Sequence, residues 1–130
     1  MKIWFGYGTE HSANLVIVGH FKKVEDAKEA ESLINEWTEL AREHEPPHNE
    51  SSFGKEFLDF FMRRNFSWAA HGDSHALMYE FNIERHGDTI VVTTEESEFG
   101  PFLKAMLHNG ARIETYSAHD YKDTPYGRGR

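Results

Sequence analysis

The sequence predicts an α+β fold: a ferredoxin-like antiparallel sheet with an extra N-terminal strand and helices on one face. Three observations carry the prediction. Leu15 to Phe21 is a short, nearly continuous apolar run, the mark of a buried strand. Ala27, Ala30, Leu33, Ile34, Trp37, Leu40 and Ala41 recur at spacings of three and four, the stripe of an amphipathic helix. Ala76 to Thr94 contains alternating segments around a glycine turn, the pattern of a hairpin.

The elements follow in order. Ile3 to Gly8 reads as the extra strand, with Ile3, Phe5 and Tyr7 on one side and Trp4 on the other. Gly6 and Gly8 weaken it. Leu15 to Phe21 is the second strand. The first helix starts with Glu25 and Asp26, which suit the positive end of the helix dipole, and Pro46 and Pro47 stop it. Ser51 or Ser52 would cap a second helix. Its Phe53, Phe57, Phe60 and Phe61 form an aromatic core face, with Leu58 and Met62 beside it.

Residues 65–75 read as irregular, with Gly72 and Asp73 as turn formers. Ala76 to Glu84 reads as a strand in which Leu77, Tyr79, Phe81 and Ile83 share the buried side. His86, Gly87 and Asp88 turn the chain, and Thr89 to Thr94 returns beside it. A third helix begins near Phe99, with Pro101 early and Asn109 and Gly110 at its end. Arg112 to Ala118 is the last strand. Without its first strand, and with the helical pair merged, the order is βαββαβ, the split βαβ or ferredoxin-like pattern. Residues 1–121 then form one domain, as 130 residues suggest, and 122–130 a loosely ordered tail.

Composition narrows the function. A formal net charge of −8 repels phosphate backbones and anionic membranes, so no nucleic acid is expected as partner. It suits a basic protein or a cationic ligand. The absence of cysteine removes disulfides, thiolate catalysis and cysteine-ligated zinc. Met1-Lys-Ile-Trp4 leads into a strand without the apolar core of a signal peptide, and no run is long enough to span a membrane. The expectation is a cytoplasmic protein.

One helical layer covers one side of a sheet. Val16 and Val18 point away from Leu15, Ile17 and Phe21, so the uncovered side is expected to carry an apolar patch. A homodimer that stacks two such faces would bury it; a ligand pocket lined by the patch, or the tail laid over it, are the alternatives.

Two polar clusters stand about a hundred residues apart: Glu10, His11, Ser12 and Asn14 before the second strand, and Ser117, His119, Asp120 and Tyr121 at the end of the last. If those strands are antiparallel neighbours, the clusters meet. The segment with His71, Asp73 and His75 should reach the same end. Tyr7, Glu10, His11, Ser12, Asn14, His119, Asp120 and Tyr121 are the candidate ligand-binding residues. His11, His71, Asp73, His75 and His119 are the residues able to ligate a metal. The same groups can act as acid and base, because histidine titrates near neutral pH. The sequence has no HExxH helix, nucleophile elbow or Walker loop. No cofactor is indicated. His20, inside an apolar strand, reads as a hydrogen-bonded core residue, and His44 and His108 as surface residues near helix ends.

The opening Lys2-Ile-Trp-Phe-Gly-Tyr-Gly-Thr-Glu-His-Ser-Ala-Asn14 and the closing Glu114-Thr-Tyr-Ser-Ala-His-Asp-Tyr121 resemble the ends of small bacterial proteins of unknown function. The resemblance covers most of the chain up to Tyr121 and implies no activity. In layout the chain is also similar to dimeric α+β barrel proteins, which implies paired sheets in a homodimer and, by itself, no function. Three functions follow as expectations. The first is a ligand- or partner-binding protein. The second is a metal-dependent or acid–base enzyme acting through Glu10, His11, His119 and Asp120. The third is an acidic immunity- or antitoxin-type protein that masks a basic partner.

Overall fold

A computed structural model describes residues 14–44, 54–70 and 72–117. The predicted strand Ile3–Gly8 and the predicted tail 122–130 lie outside them. The described elements are β1 (Asn14–His20), α1 (Val24–Glu43), α2 (Lys55–Arg63), α3 (Asp73–Ala76), β2 (Asn82–His86), β3 (Thr89–Glu95), a 3₁₀ turn (Glu96–Glu98), α4 (Gly100–His108) and β4 (Arg112–Ser117).

The four strands form one antiparallel sheet in the order β2-β3-β1-β4. This is the ferredoxin-like order. β1 runs up the centre because it is the most apolar strand and is flanked on both sides. The short, charged β2, with Glu84, Arg85 and His86, stands at the edge, where solvent reaches it.

Alternation assigns the two faces. Ile17, Phe21, Ile90 and Val92 join the buried faces of α1, α2 and α4 in one core. Trp37 sits at its centre. Its ring meets Phe61 edge-on at 5.5 Å and Phe66 at 5.3 Å, and its Nε1 donates to Ser74 Oγ at 2.9 Å. That bond matters because a buried indole N–H needs an acceptor. Gly19 also faces the helices: a Cβ there would stand 2.5 Å from Met106 Sδ, so its bare backbone is what lets α4 approach β1.

Val16 and Val18 form a separate cluster on the other face, with Val91 and Tyr116 packed against them. Val16 is 4% and Val18 0% exposed within a single chain, so these two valines are not bare. His20 is corrected as well. It is exposed on this face, and its Nε2 lies 2.7 Å from Glu114 Oε2 on β4. Residue 20 shares the parity of Val16 and Val18, and it stands at the strand's end.

The main local correction concerns Ala76–Glu84. Ala76 closes α3, residues 77–79 turn, and the strand begins only at Asn82. Leu77 is buried but Tyr79 is 60% exposed, so the alternation in the sequence does not mark one face. Long-range contacts override it. Asp73 and Ser74 are fixed from α4 and α1, and Arg42 of α1 donates to the carbonyls of Leu77 at 3.3 Å and Tyr79 at 3.2 Å. Each of those bonds favours a turn over a ladder. α2 likewise starts later than Ser51 or Ser52 would place it: Gly54, at φ 85°, is its N-cap.

The hairpin and the end of α4 follow the sequence closely. Gly87, at φ 65°, takes the left-handed conformation that a two-residue hairpin loop requires. Gly110, at φ 84°, ends α4, with Gly110 N donating to Leu107 O at 3.0 Å and Ala111 N to Met106 O at 3.1 Å. These two bonds form a Schellman motif.

Candidate functional site

The sheet has one end where three strand termini meet. β1 begins there at Asn14, opposite Glu95 at the end of β3. Leu15 pairs with Thr94 on one side and with Ser117, the last residue of β4, on the other. The chain therefore enters β1 and leaves β4 at the same end. The 3₁₀ turn continues from Glu95, and α3 packs against that turn and against α4.

Of the sequence candidates, Asn14, Asp73 and His75 are among the described residues, while Tyr7, Glu10, His11, Ser12, His71, His119, Asp120 and Tyr121 lie outside them. Asn14 is half-buried at the start of β1, and Ser117 is half-buried at the end of β4. Asp73 is buried and already engaged: its Oδ2 accepts from Ala70 N at 2.6 Å and from Lys104 Nζ at 2.7 Å. A carboxylate so committed serves as a clamp between α3 and α4. His75 is half-buried on α3. Among the described residues, no three His, Asp or Glu side chains stand together in a way that could hold a metal ion.

A carboxyl pair at this end was not singled out from the sequence. Glu98 is 8% exposed and hydrogen-bonds to Glu95 and Ser97. Burial first, and then the negative charge of Glu95, push its carboxyl above the usual glutamate range. The signal in the sequence is the run Thr93-Thr-Glu-Glu-Ser-Glu98. Glu95 is the extended N-cap of the 3₁₀ turn and Glu98 its last residue. Next to the pair, Thr94 Oγ1 is buried without a hydrogen-bond partner.

Two further features lie elsewhere. An open groove of about 400 Å³ runs along α2, lined by Leu58, Phe61, Met62, Phe66 and Ala69, with Asn65 and Ser67 as its polar members. Leu58 and Met62 thus stand at the surface, Met62 at 79% exposure. On the sheet face opposite the helices, the hydrogen bond from His20, with help from the charge of Arg112, holds the Glu114 carboxyl below its ordinary range.

No helix among the described residues is long and apolar enough to cross a membrane. No curated protein and no solved structure matches the chain. A family model, that of a family of unknown function (DUF6375), matches residues 1–128. This agrees with the resemblance carried by the two ends of the sequence, and the chain belongs to that family.

Proposed function

We propose that this is a binding protein whose surface for a cationic ligand is the sheet end where β1 begins and β3 and β4 finish. The observation that carries the proposal is the register: Asn14 opposite Glu95 and Leu15 opposite Ser117. Neighbouring strands are about 4.8 Å apart. His11 stands three residues before Asn14, within about 11 Å along the chain, and His119 two residues after Ser117, within about 7 Å. Covalent reach therefore allows Glu10, His11, His119 and Asp120 to approach this end of the sheet. Carboxylates and neutral imidazoles are the donors that a divalent metal ion or an organic ammonium group seeks. A net charge of −8 favours the approach of either.

The test is isothermal titration calorimetry with a divalent metal, a polyamine and an anion such as phosphate, on wild type and on His11→Ala/His119→Ala. The proposal expects a cation to bind wild type and the folded double variant to lose it. Binding that survives in the double variant, or a preference for the anion, overturns it.

The buried carboxyl of Glu98 supports a second reading, acid–base catalysis on the bound molecule, because burial and the charge of Glu95 favour its protonated form. The two readings separate in Glu98→Gln: a binding protein keeps its ligand, whereas an enzyme also keeps its ligand but loses turnover.

A further inference from the structure

Val16 and Val18 are shut from water on the side of the sheet opposite the helical core. The register shows how little of that cover the sheet itself supplies. Val16 stands between Thr93 and Tyr116, and Val18 between Val91 and Glu114. Strands about 4.8 Å apart shield the flanks of a valine, but side chains stand roughly perpendicular to a sheet, so its tip is left to whatever lies above. The neighbours do not close over it: Thr93, Val91 and Tyr116 are half-buried and Glu114 is exposed. Among the described residues of this face only Val16 and Val18 are buried, while Asn82, Glu84 and His86 of β2 are exposed. A narrow cover along β1 fits this pattern. A second sheet stacked over the whole face does not.

We propose that residues 3–7 of the same chain lie over Val16 and Val18, as a strap across this side of the sheet. Two stretches of chain outside the described residues join the sheet at a suitable end. Residues 1–13 run into Asn14, and residues 118–130 follow Ser117, whose register partner is Leu15. A third stretch, 45–53, joins α1 to α2, whose buried faces belong to the core on the other side. Composition separates the first two. Residues 3–7 hold Ile3, Trp4, Phe5 and Tyr7 around one glycine, without a charge. Residues 118–130 hold two tyrosines among two aspartates, one lysine and two arginines. Laying charges over valines costs desolvation, whereas burying aromatic surface there is favourable.

Reach suffices. From Asn14 back to Tyr7 the chain spans up to about 23 Å, and Val18 lies about 13 Å along β1 from Asn14. Residues 8–13 return the chain, and Gly8 and Ser12 suit a turn. The strap rests on the two buried valines and does not depend on the ligand proposed above.

The deciding experiment is a methyl-detected NOE measurement on the intact chain. The methyl groups of Val16 and Val18 are expected to show cross-peaks to ring protons of Trp4, Phe5 or Tyr7 at every protein concentration. Cross-peaks to Tyr121 or Tyr126 in their place overturn the proposal. So do cross-peaks to a second copy in a mixed-label sample, or the absence of any contact with residues 3–7. A soluble paramagnetic agent gives an independent reading. Trp4 and Phe5 point to opposite sides of an extended segment, so Trp4→Ser/Phe5→Ser removes the cover whichever side meets the valines. The relaxation enhancement at the Val18 methyl groups should rise several-fold in this variant, while Ile17 and Val92, on the helix side, keep theirs. Equal protection of Val18 in both proteins contradicts the strap. If the variant fails to fold, the wild-type cross-peaks still decide.

Discussion

Leu15 and Ser117 are register partners across β1 and β4, although they stand a hundred residues apart in the sequence. The antiparallel pairing puts the start of one strand beside the end of the other. It puts Asn14 and Ser117, the described members of two separate polar clusters, at one end of the sheet. Everything proposed about binding starts from that pairing and from its counterpart, Asn14 opposite Glu95.

The first prediction concerns the bond from Trp37 Nε1 to Ser74 Oγ, 2.9 Å long and buried. Ser74→Ala leaves the indole N–H unpaired in the core and should cost about 1–3 kcal/mol. Trp37→Phe leaves the serine hydroxyl unpaired and also opens a void between Phe61 and Phe66, so it should cost more, about 3 kcal/mol or above. Urea unfolding of each variant measures both.

Gly100 gives a second prediction. A Cβ added there would stand 2.8 Å from Asp73 Oδ1, and that carboxylate is held by Ala70 N and Lys104. Alanine normally favours a helix over glycine by about 1 kcal/mol. Here the clash outweighs that gain, and Gly100→Ala should destabilise by about 1–2 kcal/mol net. In an Asp73→Ala background the clash disappears, so the same substitution should become neutral or stabilising. A double-mutant cycle by chemical denaturation checks the reversal of sign.

These two contacts also explain where the sequence could be read and where it could not. Local signals were enough for β1, α1, the hairpin around Gly87 and the Schellman motif at Gly110, because each rests on periodicity or on a backbone angle that few residues tolerate. In Ala76–Glu84 the alternation of Leu77, Tyr79, Phe81 and Ile83 does not mark one face, because Trp37, Lys104 and Arg42 hold the backbone from a distance. His20 departs from its apolar strand for a related reason: its position at the strand's end is open to water. Of the candidate site, the meeting of strand ends was legible from topology. The carboxyl pair was not, because it depends on a 3₁₀ turn that propensity alone does not signal.

A third prediction is a pH effect at the α1–α2 contact. Glu36 receives Arg63 and Arg64, and the hydrogen bond from Arg63 leads in holding its carboxyl below the ordinary range, against a smaller opposing effect of burial. With a depressed folded pKa, the contribution is present above the unfolded value, about 4.3, and is lost as pH falls through the lower folded value. Glu36 is partly exposed, so solvent screening keeps the effect small, about 1 kcal/mol or less. Glu36→Gln should therefore lower stability slightly at neutral pH and not at all at pH 2. Paired denaturation curves at the two pH values measure it.

The central claim is that the sheet end formed by Asn14, Glu95 and Ser117 binds a cationic ligand with the help of His11 and His119. A thermal-shift screen tests it most directly, with divalent metals, polyamines, nucleotides and anionic metabolites run against wild type and His119→Ala. The account predicts that a cation raises the melting temperature of wild type and that His119→Ala, folded as before, loses the shift. Stabilisation by anions alone, or a cation shift of equal size in both proteins, would contradict it.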